Sequence, residues 1–154
     1  MGLREEFNDS LKEAMKARDQ RRVSTLRLVL AALKERDIAN RTEESRAGIG
    51  DDEIRLLLAK MIKQREESAE TYEKGGRPEL AQAEREEIAI IQSYLPKQMS
   101  DDEVGATAKA VIAELGAASM KDMGKVIAAL KTRYAGQMDF ARASGIVKGL
   151  LTAK

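Results

Sequence analysis

The segment KDMGKV at residues 121–126 has the residue types and the spacing of a small anion-binding site. Lys121 and Lys125 are four positions apart, so on a helix they are neighbours whose ammonium groups could clamp a phosphate. Gly124 lies between them, and a residue without a side chain lets the backbone of a ligand or of another helix come close. Close helix packing beside two solvated lysines explains the same residues, so both interpretations stay open.

The composition gives little support to other kinds of site. The chain has no cysteine and no histidine, which excludes thiol nucleophiles and removes the commonest general base and metal ligand. Neighbouring carboxylates such as Glu86 and Glu87 point about 100° apart on a helix, so they do not share a site. We therefore expect no catalytic residue, no cofactor and no metal. No apolar run is long enough for a membrane span, no leader is recognisable, and the cytoplasm is the expected location.

The charges are distributed unevenly along the chain. Residues 1–96 carry 18 basic and 20 acidic side chains, residues 97–154 carry 9 and 6, and residues 117–154 alone carry 7 and 2. A basic end of this kind favours an anionic partner such as a nucleic acid, although it is also compatible with an ordinary surface. On charge alone we add these cations to the candidate site: Lys97, Lys131, Arg133, Arg142 and Lys148.

The elements that must position these residues are helices. Apolar residues recur at helical spacing, and no segment alternates with a period of two, so the sequence predicts an all-α protein without a sheet. The residues expected to face a core include Met15 in the first helix, Ile54, Leu57, Leu58, Met61 and Ile62 in the third, Leu115 in the fifth, which Gly116 should end, and Met123, Ile127, Leu130 and Tyr134 in the sixth. The predicted helices cover residues 3–18, 20–38, 51 to the glycines at 75–76, 78–95, 101–115, 120–134 and 140–151. The polar stretch at 40–50 is expected to be a loop.

The predicted helix boundaries follow cap and breaker residues. Pro78 suits the first position of a helix, and Pro96 is expected to break the pattern before a new one begins. Ser100 and Glu103 have the spacing of a capping box, while Ser119 and Asp139 are the candidate caps of the last two helices. We therefore predict a four-helix N-terminal domain at 1–96 and a three-helix C-terminal domain at 97–154.

Motifs along the whole chain resemble the GatB/YqeY family. KDMGKV at 121–126, AGQMDF at 135–140 and SGIVKGLL at 144–151 are similar to its carboxy-terminal motif, while LRLVLAALKE at 26–35 and the run at 62–103 resemble stand-alone YqeY-like proteins. The resemblance implies a four-helix part followed by a three-helix tail. It also implies that the tail is like the one that ends the B subunit of the tRNA-dependent amidotransferase.

In that setting the tail module is associated with holding tRNA. The resemblance thus implies an accessory tRNA-binding module linked to amidotransferase or glutaminyl-tRNA synthetase systems, with tRNA and subunits of those enzymes as partners. Lys121, Gly124 and Lys125 are the motif residues that it carries over. A helical protein–protein adaptor is the alternative. The family label also implies a carbon–nitrogen ligase with glutamine as amido donor, but residues 1–96 resemble neither amidotransferase catalytic domain.

Phe140 departs from the family pattern. The resemblance implies a small residue, often glycine, after the aspartate of the turn in AGQMDF, and this chain has a phenylalanine there. A bulky residue disfavours a left-handed backbone, so we expect the turn to differ. Phe140 is then expected either to fill the core of the tail or to be exposed for a partner.

Overall fold

The computed structural model describes residues 2–42 and 48–152, and in these ranges it contains helices and turns but no strand. The α-helices are α1 Leu3–Ala17, α2 Gln20–Ala39, α3 Asp51–Lys74, α4 Pro78–Gln92, α5 Asp101–Leu115, α6 Met123–Arg133 and α7 Phe140–Thr152. A short 3₁₀ turn, Met120–Asp122, leads into α6. The prediction of an all-helical protein without a sheet is confirmed. The central part of the loop expected at 40–50, residues 43–47, lies outside the described residues.

The chain divides into two compact units, Met1–Leu95 and Pro96–Lys154. The first unit contains α1–α4 and the second contains α5–α7. Each unit has its own cluster of buried apolar side chains, and aliphatic residues dominate both clusters because the chain is only 3% aromatic.

The core of the first unit is built around α2 and α3. The fully buried large side chains there include Phe7, Leu26, Ile54, Leu58 and Ile91. The five residues predicted for the buried face of α3 are all buried, whereas Met15, predicted for the buried face of α1, is 52% exposed. Met15 belongs to the last turn of α1, and its place at the border of the apolar stripe leaves it in solvent.

A polar clasp joins α1, α2 and the entry to α3. Arg4 donates through both terminal nitrogens to Asp37, at 2.5 and 2.7 Å, and also donates to the carbonyl of Ile49 at 2.8 Å. The amide of Ile49 donates back to Asp37 Oδ1 at 2.9 Å. A Cβ on Gly48 would overlap the Arg4 guanidinium and lie 2.7 Å from Asp37 Oδ1, so a larger residue here would displace the side chains of the clasp.

The opposite end of α2 is fixed to α3 and α4 by charge. Arg21 lies 3.2 Å from Glu86 and 3.9 Å from Glu87, and Glu87 accepts from Arg65 of α3 at 2.9 Å. Next to this network, Arg22 donates to the Tyr94 hydroxyl at 3.1 Å, and the Tyr94 ring packs edge-on against Phe7. These contacts and the clasp determine where α2 begins and ends along α3.

The second unit is a bundle in which each of α5, α6 and α7 packs on the other two. Val111, Val126, Leu130 and Val147 are its fully buried large side chains. Val126 lies in the core although the predicted stripe of α6 omitted it, and Leu115, predicted to be buried, is 41% exposed. Leu115 is the last residue of α5, where the helix leaves the bundle.

The capping box that begins α5 is confirmed, because Ser100 and Glu103 each accept a hydrogen bond from the other's backbone amide. Asp139 also acts as predicted, accepting from the amide of Ala141 at 2.9 Å. The cap predicted for Ser119 is wrong: its side chain makes no cap bond, and Asp122 instead reaches back to the amide of Ala118 at 3.0 Å. The fourth helix ends at Gln92, three residues before its predicted end.

Candidate functional site

The motif residues lie at the start of α6: Gly124 and Lys125 belong to the helix, while Lys121, predicted on the same helix, lies in the 3₁₀ turn that leads into it. Val126 and Leu130 point into the core, so positions 124, 128 and 131, which lie on the opposite side of a 3.6-residue turn, face solvent. Gly124 and Ala128 are both exposed and form a strip without large side chains. Lys125 lies on one flank of this strip and Lys131 on the other. We call this surface the α6 face.

The lysines of the α6 face have no carboxylate partner. Lys121, Lys125 and Lys131 are exposed, and none lies within ion-pair distance of an acidic side chain in residues 2–42 and 48–152. Asp122 interacts electrostatically with Lys125, and its pKa is held below its ordinary value mainly by the hydrogen bond from Ala118, with smaller contributions from Ser119 and Lys125. Asp122 hydrogen-bonds the backbone before α6 and forms no ion pair with these lysines.

Gly124 is not required for packing inside the described chain. A Cβ built on it meets no atom within 4 Å other than its own helix backbone. Of the two interpretations of this glycine, close approach of another helix of this chain therefore finds no support in the described residues. The space above Gly124 is open to something outside the chain.

The helix α7 repeats the pattern. Ala143, Val147 and Leu151 are buried, so Gly145 and Gly149 lie on the solvent side, and a Cβ on either would meet nothing within 4 Å. Lys148 is exposed beside them and has no ion pair in the described part of the chain. Sequence reasoning missed Ala128, Gly145 and Gly149, although their spacing of four on the polar faces of two helices was visible.

The two arginines of the candidate set are held by carboxylates. Arg133 donates to both oxygens of Glu114, at 2.6 and 2.8 Å, and this pair lowers the pKa of Glu114. Arg142 lies 3.5 Å from Asp101 and is 70% exposed. Lys97 is exposed at the start of the second unit. Among the described residues, five candidate lysines therefore have no carboxylate partner: Lys97, Lys121, Lys125, Lys131 and Lys148. Gly124 is open to solvent, while Arg133 and Arg142 are paired with Glu114 and Asp101.

Phe140 fills the core of the second unit rather than serving as an exposed contact. It is the first residue of α7, is half-buried and packs against the buried cluster. The left-handed backbone of this turn falls on Gly136, with φ of 78°, four residues earlier. A shallow cleft of about 190 Å³ beside the turn is lined by Met99, Asp101, Met138 and Arg142, among others.

Several carboxyls of the described residues have shifted pKa values. The carboxyls whose pKa values are lowered are Asp37, Glu73, Glu114 and Asp122, and each is explained by an ion pair or a cap. In the described ranges no three acidic side chains come together in a way that could hold a metal ion. No helix there is long and apolar enough to cross a membrane.

Comparison with known proteins identifies the protein family of this chain. The model of the YqeY family, described as Yqey-like protein, matches residues 4–151. The chain is therefore a member of the YqeY family, an assignment that covers both units.

The similar curated proteins come from yeasts, and each is named Altered inheritance of mitochondria protein 41, mitochondrial. The protein from Eremothecium gossypii is 33% identical over 71% of this chain and 58% of its own length. Those from Lachancea thermotolerans and Kluyveromyces lactis are both 34% identical, over 68% and 71% of this chain and 55% and 58% of their own lengths. The chain thus spans a little over half the length of these relatives.

These names contradict the cytoplasmic location expected from the sequence, because the relatives are mitochondrial proteins. The expectation was wrong because it depended only on features that the sequence lacks, and a missing signal does not specify a compartment.

Proposed function

We propose that the chain is an accessory tRNA-binding module and that the second unit makes the contact through the α6 face. One observation carries the proposal: a strip without large side chains, Gly124 and Ala128, lies between lysines that form no ion pair with a carboxylate in the described residues. A sugar–phosphate backbone fits such a surface, since it brings negative charge and needs close approach to the helix. The relatives' names favour a mitochondrial setting for this contact.

The kind of recognition follows from the residue types. The second unit has one tyrosine and one phenylalanine, Tyr134 and Phe140, and both are half-buried against its core, so stacking of unpaired bases has little surface to use. Lysines contact phosphates as point charges and carry no base specificity. The proposed module therefore recognises the shape and backbone of structured RNA.

The proposal includes two finer points taken from the resemblance. It treats residues 1–96 and 97–154 as separate domains, and it relates the second one to the tail of the amidotransferase B subunit. On this basis the module delivers or retains tRNA for an amidotransferase or a glutaminyl-tRNA synthetase and has no catalysis of its own.

The direct test is charge reversal on the α6 face. The double variant Lys121→Glu with Lys125→Glu should weaken tRNA binding by more than tenfold at low salt. It should also reduce the slope of log affinity against log salt by about two, since each lost phosphate contact removes close to one unit.

The chain supplies a matched control for this test. Lys12 and Lys16 of α1 are also exposed, four residues apart and without an ion pair in the described chain. Lys12→Glu with Lys16→Glu changes the net charge equally and should leave tRNA affinity almost unchanged. Equal losses in both double variants, or equal binding of heparin and tRNA by the native protein, would refute the proposed site.

A further inference from the structure

The distal ends of α3 and α4 extend beyond the rest of the first unit. The clasp between Asp37 and Ile49 sets the end of α2 beside the start of α3, and the Arg21–Glu87–Arg65 network sets the start of α2 beside Arg65. The helix α2 therefore begins at the level of Arg65 and runs from there towards the start of α3. The helix α3 continues to Lys74, about 14 Å further. We call residues 66–85, which form the two-helix end of this hairpin, the arm.

The arm is held together by small residues and ion pairs. Ala69 and Ala81 are buried between the two helices. Glu73 lies 2.6 Å from Arg85 across the hairpin. Gly76, with φ of 75°, makes the turn that leads to Pro78. Alanine contacts bring the two helix backbones close together, which makes the arm narrow and leaves its sides uncovered.

One side of the arm continues the groove that α2 occupies lower down. On α4, positions 90, 87, 83 and 80 repeat at helical spacing along one face. Glu87 is bound by Arg21 of α2, and Tyr94, just past the end of α4, is bound by Arg22. Ala83 and Leu80 follow on the same face beyond the start of α2, and Leu80 is 39% exposed.

The helix α3 contributes the matching wall. Leu57 and Met61 are buried in the core with α2, and Ser68 and Tyr72 continue that face into the arm, where both are only half-buried. The Tyr72 hydroxyl has no hydrogen-bond partner in the described residues. Together these two faces form a largely apolar groove along the arm, in line with the part of the hairpin that α2 covers.

The charge of the arm identifies the occupant. Residues 66–85 contain six glutamates against three basic residues. Lys74 and Arg85 are paired with Glu70 and Glu73, so among the described residues four glutamates remain without an ion pair. They are Glu66, Glu67, Glu79 and Glu84. By helical spacing Glu79 and Glu84 flank the Leu80–Ala83 face of α4, whereas Glu66 and Glu67 lie on the other side of α3. An apolar face that is flanked by unpaired carboxylates on a negatively charged arm is complementary to a basic amphipathic helix and repels nucleic acid.

We infer that the arm docks a basic amphipathic helix of a partner protein, seated on Tyr72, Leu80 and Ala83 in line with α2. This contact belongs to the first unit and is independent of the proposed RNA contact in the second. A partner and a tRNA could therefore be held by one chain, on surfaces of opposite charge.

The test uses the full chain and a leucine/lysine peptide of about five helical turns, with leucines on one face. Its addition should shift the NMR amide signals of residues 68–72 and 79–84 and leave those of the second unit unchanged. Leu80→Ser should weaken peptide binding by about tenfold, because an apolar contact is lost while the charge stays the same.

The matched control is Leu28→Ser, since Leu28 is a similarly exposed leucine on α2, at 46%. It should leave peptide affinity unchanged, and thermal melts should show that both variants fold. Equal binding of a scrambled peptide of the same composition would reduce the effect to general attraction of charges and overturn the inference. So would equal affinity in both variants, or no binding at low salt. A dimer of the free protein that Leu80→Ser dissociates would assign the groove to a second copy instead.

Discussion

In the first unit, four arginines bind carboxylates of other helices, whereas in the second unit the exposed lysines form no ion pair in the described chain. Arg4, Arg21, Arg65 and Arg85 each reach an acidic side chain on a different helix. The second unit follows the same rule for Arg133, but its lysines at 121, 125 and 131 stay in solvent. A planar guanidinium suits a fixed two-point contact, while a flexible ammonium suits a mobile or external anion. The difference separates cations that build the fold from cations available to a ligand.

The largest effect is expected when the clasp is removed, which tests whether the arginines of the first unit act in folding alone. Asp37→Ala leaves Arg4 and the Ile49 amide without their shared acceptor, so we expect the free energy of unfolding to fall by about 2–3 kcal/mol. Urea titration followed by circular dichroism measures the loss. The affinity for tRNA should be unchanged under native conditions, and a parallel loss of tRNA binding would show that the two classes of cation are not separate.

The clasp also predicts a pH dependence. The hydrogen bonds from Arg4 hold the pKa of Asp37 below its ordinary value of 3.8. Because the folded carboxyl has the lower pKa, its contribution is complete above the unfolded pKa and is lost as the pH falls through the folded one. The free energies of unfolding of the native protein and of Asp37→Asn should therefore differ most above about pH 4. Below that pH the difference should shrink as Asp37 becomes protonated. Urea titrations at several pH values measure it, and a difference that stays constant down to pH 2 would contradict the assignment.

A smaller effect is expected from substitution of Gly124, which tests whether the open strip on α6 contacts a ligand. Because a Cβ there meets nothing, Gly124→Ala should keep or raise the stability of the second unit, by up to about 0.5 kcal/mol. We expect tRNA binding to weaken severalfold, since the methyl group would occupy the strip. Gly105→Ala in α5 also enters open space and is the control. If both variants bind tRNA as the native protein does, the strip is not a contact surface.

The smallest effect is expected at Arg133. Its pair with Glu114 is exposed and joins two helices that already share a core, so Arg133→Gln should change the melting temperature very little. Its tRNA affinity should fall less than that of Lys131→Gln, because Arg133 is already neutralised by Glu114. A larger loss at Arg133 would reverse the ranking that the ion pairs give.

Much of the fold was accessible from local sequence signals. Pro78 at the first position of α4, the Ser100–Glu103 box and Gly116 at the end of α5 act as predicted, because each satisfies backbone groups within a few residues. Met15 and Leu115 were misplaced because the burial of residues at helix ends depends on neighbouring helices, which the sequence does not specify. The clasp joins residues far apart in the chain, and no local pattern could have revealed it.

The candidate site also combines features that the sequence predicts with features that it cannot predict. The exposure of Gly124 and Lys125 on α6 follows from helical spacing alone, whereas the 3₁₀ turn that contains Lys121 does not. The engagement of Arg133 and Arg142 could not be foreseen, because their partners Glu114 and Asp101 belong to another helix. The repeated strip on α7 was present as GIVKG and was missed because we interpreted only the polar side chains.

The arm has a consequence for local motion in the first unit. The last turns of α3 and the first turns of α4 are supported mainly by each other, with two alanines between them in place of a leucine-rich core. Such a segment can unfold transiently while the rest of the unit stays intact. Its backbone amides should thus exchange with deuterium before those around Leu58, and a helix seated on Leu80 would slow that exchange.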